Sequence, residues 1–172
     1  GRHPLVLTKR KKHAEELFGM LKNQGHEPVL LTGEIDAKER KTILSSLPRF
    51  EHEHRIIVAT ESLLGEGFDL SYLDTLLIAT PISWDGSITQ QAGRLHRSHE
   101  GKRRVEIFDY VDLSIPMLAR MYQKRLKTYA KLGYEVYVTG GSEQSDQNIL
   151  IEPANAVETL VEDIVGAAKS IF

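Results

Sequence analysis

Gln90-Gln91-Ala92-Gly93-Arg94-Leu95-His96-Arg97 sets a glutamine, a glycine and two arginines at the spacing Q-x-x-G-R-x-x-R. In a helix that begins near Ser87, Gln90, Arg94 and Arg97 fall at i, i+4 and i+7 and project from one face. That face carries two permanent cations and an amide, groups that suit phosphate oxygens. Gly93 removes a side chain where something must approach the backbone, at about 1 kcal/mol relative to Ala in a helix interior. The octet also reads as a solvated helix with two surface arginines, so its flanks decide between the two.

Working outward, strand and helix patterns alternate. Leu5-Val6-Leu7 is a short strand, with Thr8 placed to cap the helix after it. Ala14, Leu17, Phe18 and Leu21 recur at i, i+3, i+4 and i+7, an amphipathic stripe ended by Gly25. Pro28-Val29-Leu30-Leu31 is a second strand, and Asp36 opens a helix that runs to about Leu47 and stops at Pro48. Arg55 to Ala59 and Thr75 to Ala79 are apolar runs suited to central parallel strands covered on both faces. Arg104 to Asp109 alternates, as a strand nearer an edge does. The pattern predicts an α/β fold, an open, mostly parallel doubly wound sheet, followed by a long helix and a short C-terminal extension. Ligands of such sheets sit beyond the carboxyl ends of the strands, and Thr32-Gly33, Thr60 to Asp69 and Pro81 to Gly86 all fall there, converging on one edge.

The long helix spans Ile115 to Leu132 and is ended by Gly133. Leu118, Tyr122, Leu126 and Tyr129 form one stripe, and Arg120, Lys124, Lys127 and Lys131 another. The basic stripe is either the helix's wet face or a track for a nucleic-acid backbone. Residues 140–147 are polar and Gly/Ser-rich, a linker. Beyond it lie a strand, Asn148 to Ile151, and a helix from Ala156 to about Lys169.

Composition narrows the function classes. With 22 basic and 24 acidic residues the net charge is −2, so nucleic-acid binding requires a local patch rather than a global field. The absence of cysteine excludes disulfides and thiolate metal sites and suits a cytoplasmic protein. No apolar run reaches the roughly 18 residues of a membrane span. His52-Glu53-His54 and His96-x-x-His99 lack a further ligand at metal-site spacing, so no metal is assigned to either. Without an initiator methionine and with apolar runs at both ends, the chain reads as a fragment of a longer protein.

The octet resembles motif VI of superfamily 2 helicases and translocases. Val58-Ala59-Thr60 with Gly65-Glu66-Gly67-Phe68-Asp69 resembles motif V, and Pro4-Leu5-Val6-Leu7 and Leu31-Thr32-Gly33-Glu34 resemble motifs IV and IVa. The likeness covers Pro4 to Tyr134 and points to the DEAD/DEAH-like branch with Ile82-Ser83-Trp84-x-Gly86 ahead of motif VI. It implies the C-terminal, second RecA-like domain of a DNA helicase, RNA not being excluded. Arg94 and Arg97 would be the catalytic arginine fingers, since phosphoryl transfer is accelerated by fixed positive charge on the γ-phosphate. Gln90 would orient the attacking water or contact that phosphate. Gly67, Asp69 and Gly93 would bind ATP, Asp69 through ribose hydroxyls or the motif VI arginines. One extra residue between Thr60 and Gly67, relative to DEAD-box proteins, leaves open which of Gly65 and Gly67 plays that part. Thr32, Gly33 and Thr60 would contact nucleic-acid phosphates, and Trp84 would stack on a base or brace the motif V and VI loops.

Neither a G-x-x-x-x-G-K-[ST] phosphate loop nor an acidic D-E run is present, the only Gly-Lys being Gly101-Lys102 followed by Arg103. ATP and Mg2+ are therefore expected to be held mainly by an N-terminal RecA-like domain, and this fragment alone to be inactive. The expected domains are 1–139 with the trailing helix, 140–147 as linker, and 148–172 opening a further domain that resembles a phospholipase D-like nuclease. The alternative is a stand-alone α/β module that binds nucleic acid or protein.

Overall fold

The computed structural model describes residues 2–33, 36–53, 55–63, 70–81, 92–93, 95–138 and 149–151. The chain divides into two compact units, Gly1–Tyr110 and Val111–Phe172. In the first, β1 (Pro4–Thr8), β2 (Val29–Leu31), β3 (Ile57–Thr60), β4 (Thr75–Ile78) and β5 (Glu106–Asp109) form one sheet in the order β2-β3-β1-β4-β5. Every neighbouring pair is parallel. The unbroken apolar strands β3 and β4 lie inside the sheet and the alternating β5 at its edge, as their patterns predict.

The strand order decides which face each connection covers. From β1 the chain crosses two places to β2, and every later step, to β3, β4 and β5, runs back the other way. Right-handed crossovers in opposite directions fall on opposite faces. Helix α1 (Lys11–Asn23) accordingly packs on one face, where Ala14, Leu17 and Leu21 meet Val6, Val58 and Leu77. The returning connections share the other, where Ile43, Leu47, Tyr72, Leu73 and Leu95 meet Leu7, Ala59 and Ile78. Side chains alternate along a strand, so the apolar residues of one strand serve both layers.

Local chemistry sets the helix ends. Gly25 takes φ 84° and Gly133 φ 77°, a region that favours glycine. Around them Gly25 N donates to Lys22 O and His26 N to Leu21 O, and Gly133 N to Ala130 O and Tyr134 N to Tyr129 O. Both are Schellman motifs, closing orphan carbonyls of the last turn. Helix α2 (Ala37–Ser46) starts where Asp36 accepts from the backbone of Lys38 and Glu39 at 2.8 Å. One expectation changes. Thr8 does not cap α1: Arg10 holds the N-cap position without a side-chain cap, and Thr8 Oγ1 instead bonds His13 Nδ1 at 3.0 Å. Helix α2 does stop ahead of Pro48, its last residue being Ser46 and its C-cap Leu47, and the chain then tightens into a 3₁₀ turn, Leu47–Arg49, before a helical turn Phe50–Glu53.

The second unit holds a helix at Pro116–Lys131, with proline in its first turn, and the antiparallel pair β6 (Val136–Val138) and β7 (Ile149–Ile151). Tyr122, Leu126 and Tyr129 are buried as the apolar stripe predicts, joined by Arg125, whose guanidinium lies 5.6 Å from the Tyr122 ring centroid. Linker residues 140–147 and the expected helix from Ala156 lie outside the described residues. Among the described residues no helix is long and apolar enough to cross a membrane.

One buried hydrogen bond ties α2's end to the turn before β4: Tyr72 Oη donates to Leu47 O at 3.0 Å, both residues being buried. Tyr72→Phe strands that carbonyl, so a loss of about 1–3 kcal/mol in unfolding free energy is expected. Urea denaturation measures it beside Lys12→Gln, an exposed i,i+4 pair worth under about 0.5 kcal/mol. Equal effects of the two changes would show that the tyrosine hydroxyl is solvated.

Candidate functional site

The carboxyl edge of the sheet is built from threonines. Thr8 ends β1 in register with Thr60 at the end of β3, and Leu31 of β2 pairs with Ala59, which sets Thr32 beside Thr60. All three threonines are buried. Thr60 Oγ1 lies 3.2 Å from Ser62 Oγ, and Ser62 is exposed in the 3₁₀ turn Glu61–Leu63. A Cβ on Gly33 would meet Ser62 Oγ at 3.1 Å, so the glycine admits the turn that carries this hydroxyl. Thr32, Gly33 and Thr60 are thus brought together as expected. The hydroxyl that the edge presents to solvent, however, is that of Ser62, which the sequence reading passed over although Thr-x-Ser after a strand is a turn signal.

The octet occupies the connection from β4 to β5. Ala92 and Leu95 are buried, and His96 N donates to Ala92 O at 3.2 Å, the last helical bond. Gly93 and Arg97 are exposed. Among the described residues, a Cβ at Gly93 would meet nothing within 4 Å, so no packing among them calls for a glycine there. The expected single helical face through Arg97 is shortened, because Arg97 sits in a bend just past the helix. At this bend Lys102 Nζ donates to Arg97 O at 3.2 Å and to Ser71 O at 2.9 Å. Burial pushes the Lys102 ammonium below its ordinary range, with the Asp74 carboxylate pulling the other way. His99 joins the same contact, its Nδ1 3.3 Å from Ser71 Oγ and its ring edge-on to Tyr72.

Ser71 and Asp74 precede β4 and Lys102 precedes β5, so Arg97 ends at the amino edge of the sheet, opposite Thr32 and Thr60. A parallel crossover must return to the edge from which its strands start, and the helix carries Arg97 with it. The two surfaces stand about 15 Å apart, the length of a strand of four or five residues. Gln90, Arg94, Trp84, Gly67 and Asp69 lie outside the described residues. Lys102, which the sequence offered only as the stem of a failed phosphate-loop match, anchors the turn after the octet.

Comparison with known proteins bears on the family and the fold. Residues 1–99 match the family model described as the helicase conserved C-terminal domain. Protein 108L of Invertebrate iridescent virus 3 is 39% identical over 101 residues, 57% of this chain and 90% of that protein. The ATP-dependent DNA helicase uvsW of Enterobacteria phage T4 is 25% identical over 107 residues, 62% of this chain and 21% of uvsW. The helicase-designated protein 161L of Invertebrate iridescent virus 6 is 31% identical over 137 residues, 75% of this chain but 30% of that protein, so the chain spans under a third of these helicases. Among solved structures, the C-terminal domain of S. cerevisiae Dbp5 superposes with a TM-score of 0.57 at 19% identity, covering 76% of this chain and 71% of that one. The parallel sheet is that of RecA-like helicase C-terminal domains, and the chain belongs to the helicase C-terminal domain family.

Proposed function

We propose that this chain is the second motor domain of an ATP-dependent DNA helicase or translocase, with residues 1–139 as the motor unit and its trailing helix, 140–147 as a linker and 148–172 opening a further, phospholipase D-like domain. The observation that carries the reading is the division of the polar surface into two: a hydroxyl-bearing carboxyl edge at Thr60 and Ser62, and an arginine at the opposite edge. The first suits a nucleic-acid backbone, read by neutral hydrogen-bond donors and strand-end amides. The second suits the phosphates of a nucleotide seated on a neighbouring domain. DNA is the chosen strand because uvsW is named a DNA helicase. RNA, to which S. cerevisiae Dbp5 is bound in one of its solved structures, is the substrate to run beside it.

Arg94 and Arg97 are the proposed fingers, Gln90 orients the attacking water, and Gly67, Asp69 and Gly93 contact the nucleotide; the space over Gly93, open among the described residues, supports a close approach there. Guanidinium suits the role because it stays charged and forks onto phosphate oxygens. Among the described residues no three His, Cys, Asp or Glu gather as a cation site, and the sequence has no phosphate loop. Mg2+ and most of the ATP contacts therefore fall to a first RecA-like domain, and MgATP supplies the transferred phosphoryl group when bound there. The setting is cytoplasmic. The stand-alone binding module is the second reading, and turnover separates the two.

Two outcomes are expected. Thr60→Val and Ser62→Ala should each weaken binding of an oligo(dT) strand about 2- to 10-fold, the worth of one neutral hydrogen bond, with the melting curve kept. Affinity indifferent to both changes and to salt would remove the carboxyl edge from the strand track. In the full-length protein, Arg94→Ala and Arg97→Ala should cut strand-stimulated ATP turnover by on the order of 10³-fold while strand affinity stays nearly unchanged. The chain alone should turn over no ATP. Turnover within about threefold of the parent in both variants, where a lost finger costs orders of magnitude, would make the octet an ordinary helix face and favour the stand-alone module.

A further inference from the structure

Helix Pro116–Lys131 carries Arg120, Lys124, Arg125, Lys127 and Lys131 and not one acidic residue. Arg125 is buried, and the other four are exposed. Helix α1 shows what an ordinary wet face looks like: Lys11 and Lys12 sit four residues before Glu15 and Glu16, each pair at 3.9 Å. In the long helix the i,i+4 positions are instead filled by like charges, Arg120 with Lys124 and Lys127 with Lys131. Each such pair repels where α1's pairs attract. Among the described residues no carboxylate pairs with any of the four, and Arg120 Nε turns to its own helix, at Pro116 O. A chain of net charge −2 with 24 acidic residues has put none of them here.

We infer that the exposed face formed by Arg120, Lys124, Lys127 and Lys131 is a second nucleic-acid contact, engaging the phosphate backbone of the strand independently of the carboxyl edge of the sheet. The four cations recur at steps of four, three and four residues and so extend about 16 Å along the helix axis. A compact anionic ligand meets one or two charges in such a row, whereas a polyanion with charge repeated along its length meets all four. An anionic membrane is the poorer fit. An interfacial helix must sink its apolar side into lipid, and here Tyr122, Leu126 and Tyr129 are already buried within the protein. The row presents three amines and a guanidinium spaced along one axis, which predicts binding to the repeated phosphates that is set by counterion release.

The inference rests on the helicase reading, and the test keeps the two apart. Oligo(dT) affinity is measured across a salt series for the chain, for Arg120→Gln/Lys124→Gln/Lys127→Gln/Lys131→Gln, for Lys124→Arg/Lys127→Arg/Lys131→Arg, and for Ser62→Ala. Each lost phosphate contact should flatten the log K against log salt slope by about 0.7 for a single strand, so the glutamine variant should lose roughly 2–3 units of slope. The arginine variant should keep the slope, which a helix damaged by substitution does not predict. Ser62→Ala should lower affinity and leave the slope alone. An unchanged slope in the glutamine variant, with Ser62→Ala still weakening binding, overturns the basic face and spares the helicase reading. No strand binding by the unaltered chain overturns both. Capture of the chain by phosphatidylserine vesicles, lost in the glutamine variant while strand binding persists, assigns the face to a membrane and also overturns the inference.

Discussion

Everything in the first unit follows from laying five strands parallel with β1 in the middle. Parallel pairing forces each connection to carry the chain back from the carboxyl edge to the amino edge before the next strand can begin. Loops at the carboxyl edge thus start where a strand's backbone bonds run out, and Thr32, Gly33, Thr60 and Ser62 gather there. Whatever rides at the far end of a connecting helix is delivered to the other edge. The handedness of the crossovers then sorts the helices, α1 to one face and the returning connections to the other, and the helical segment of Ala92 and Leu95 is pinned to the sheet by the second layer's core.

The cations divide by task in a way that their chemistry explains. Lys102 is used as a compact ammonium with several donors, satisfying two backbone carbonyls that a bend leaves open, and partial burial makes its charge harder to hold. Arg97, whose carbonyl Lys102 holds, keeps an exposed side chain whose charge no burial of this kind can remove. Lys11 and Lys12 meet glutamates on their own helix and neutralise locally. A net charge near zero thus conceals an uneven surface, and any attraction for a polyanion has to come from places where cations stand without acids, as on the helix Pro116–Lys131.

Much of this was legible in the residues. Apolar strands flanked by amphipathic stripes named the five strands of the first sheet and the long helices to within a residue or two, though not β6 or the turn Phe50–Glu53, and Gly25, Asp36 and Gly133 marked helix ends by mechanisms that the bonds bear out. The strand order was not readable, since pairing is a matter of which apolar faces meet and the pattern of each strand is the same in any order. Local competition hid the rest. Thr8 could cap a helix or bond a histidine, and the position of His13 five residues on decided for the histidine. The spacing of Arg97 implied a helix face, yet the helix ends before it and a lysine five residues later holds its carbonyl. Arg125, which belongs to neither stripe read in the sequence, is buried against a tyrosine, because its position on the helix, not its charge, faces the apolar stripe.

The separation of the two edges bears on how a half-motor can work. The proposed strand contact at Thr60 and the proposed nucleotide contact at Arg97 lie on opposite edges of one parallel sheet, with Leu95 of the octet and Ala59 of β3 in the same core. In the proposed motor, closure over a nucleotide at one edge is what the sheet has to carry to a strand at the other, and parallel pairing sets the two contacts on opposite edges. The parallel sheet is therefore not a neutral scaffold for the motifs, because the distance it sets between them is the stroke arm that the proposed activity requires.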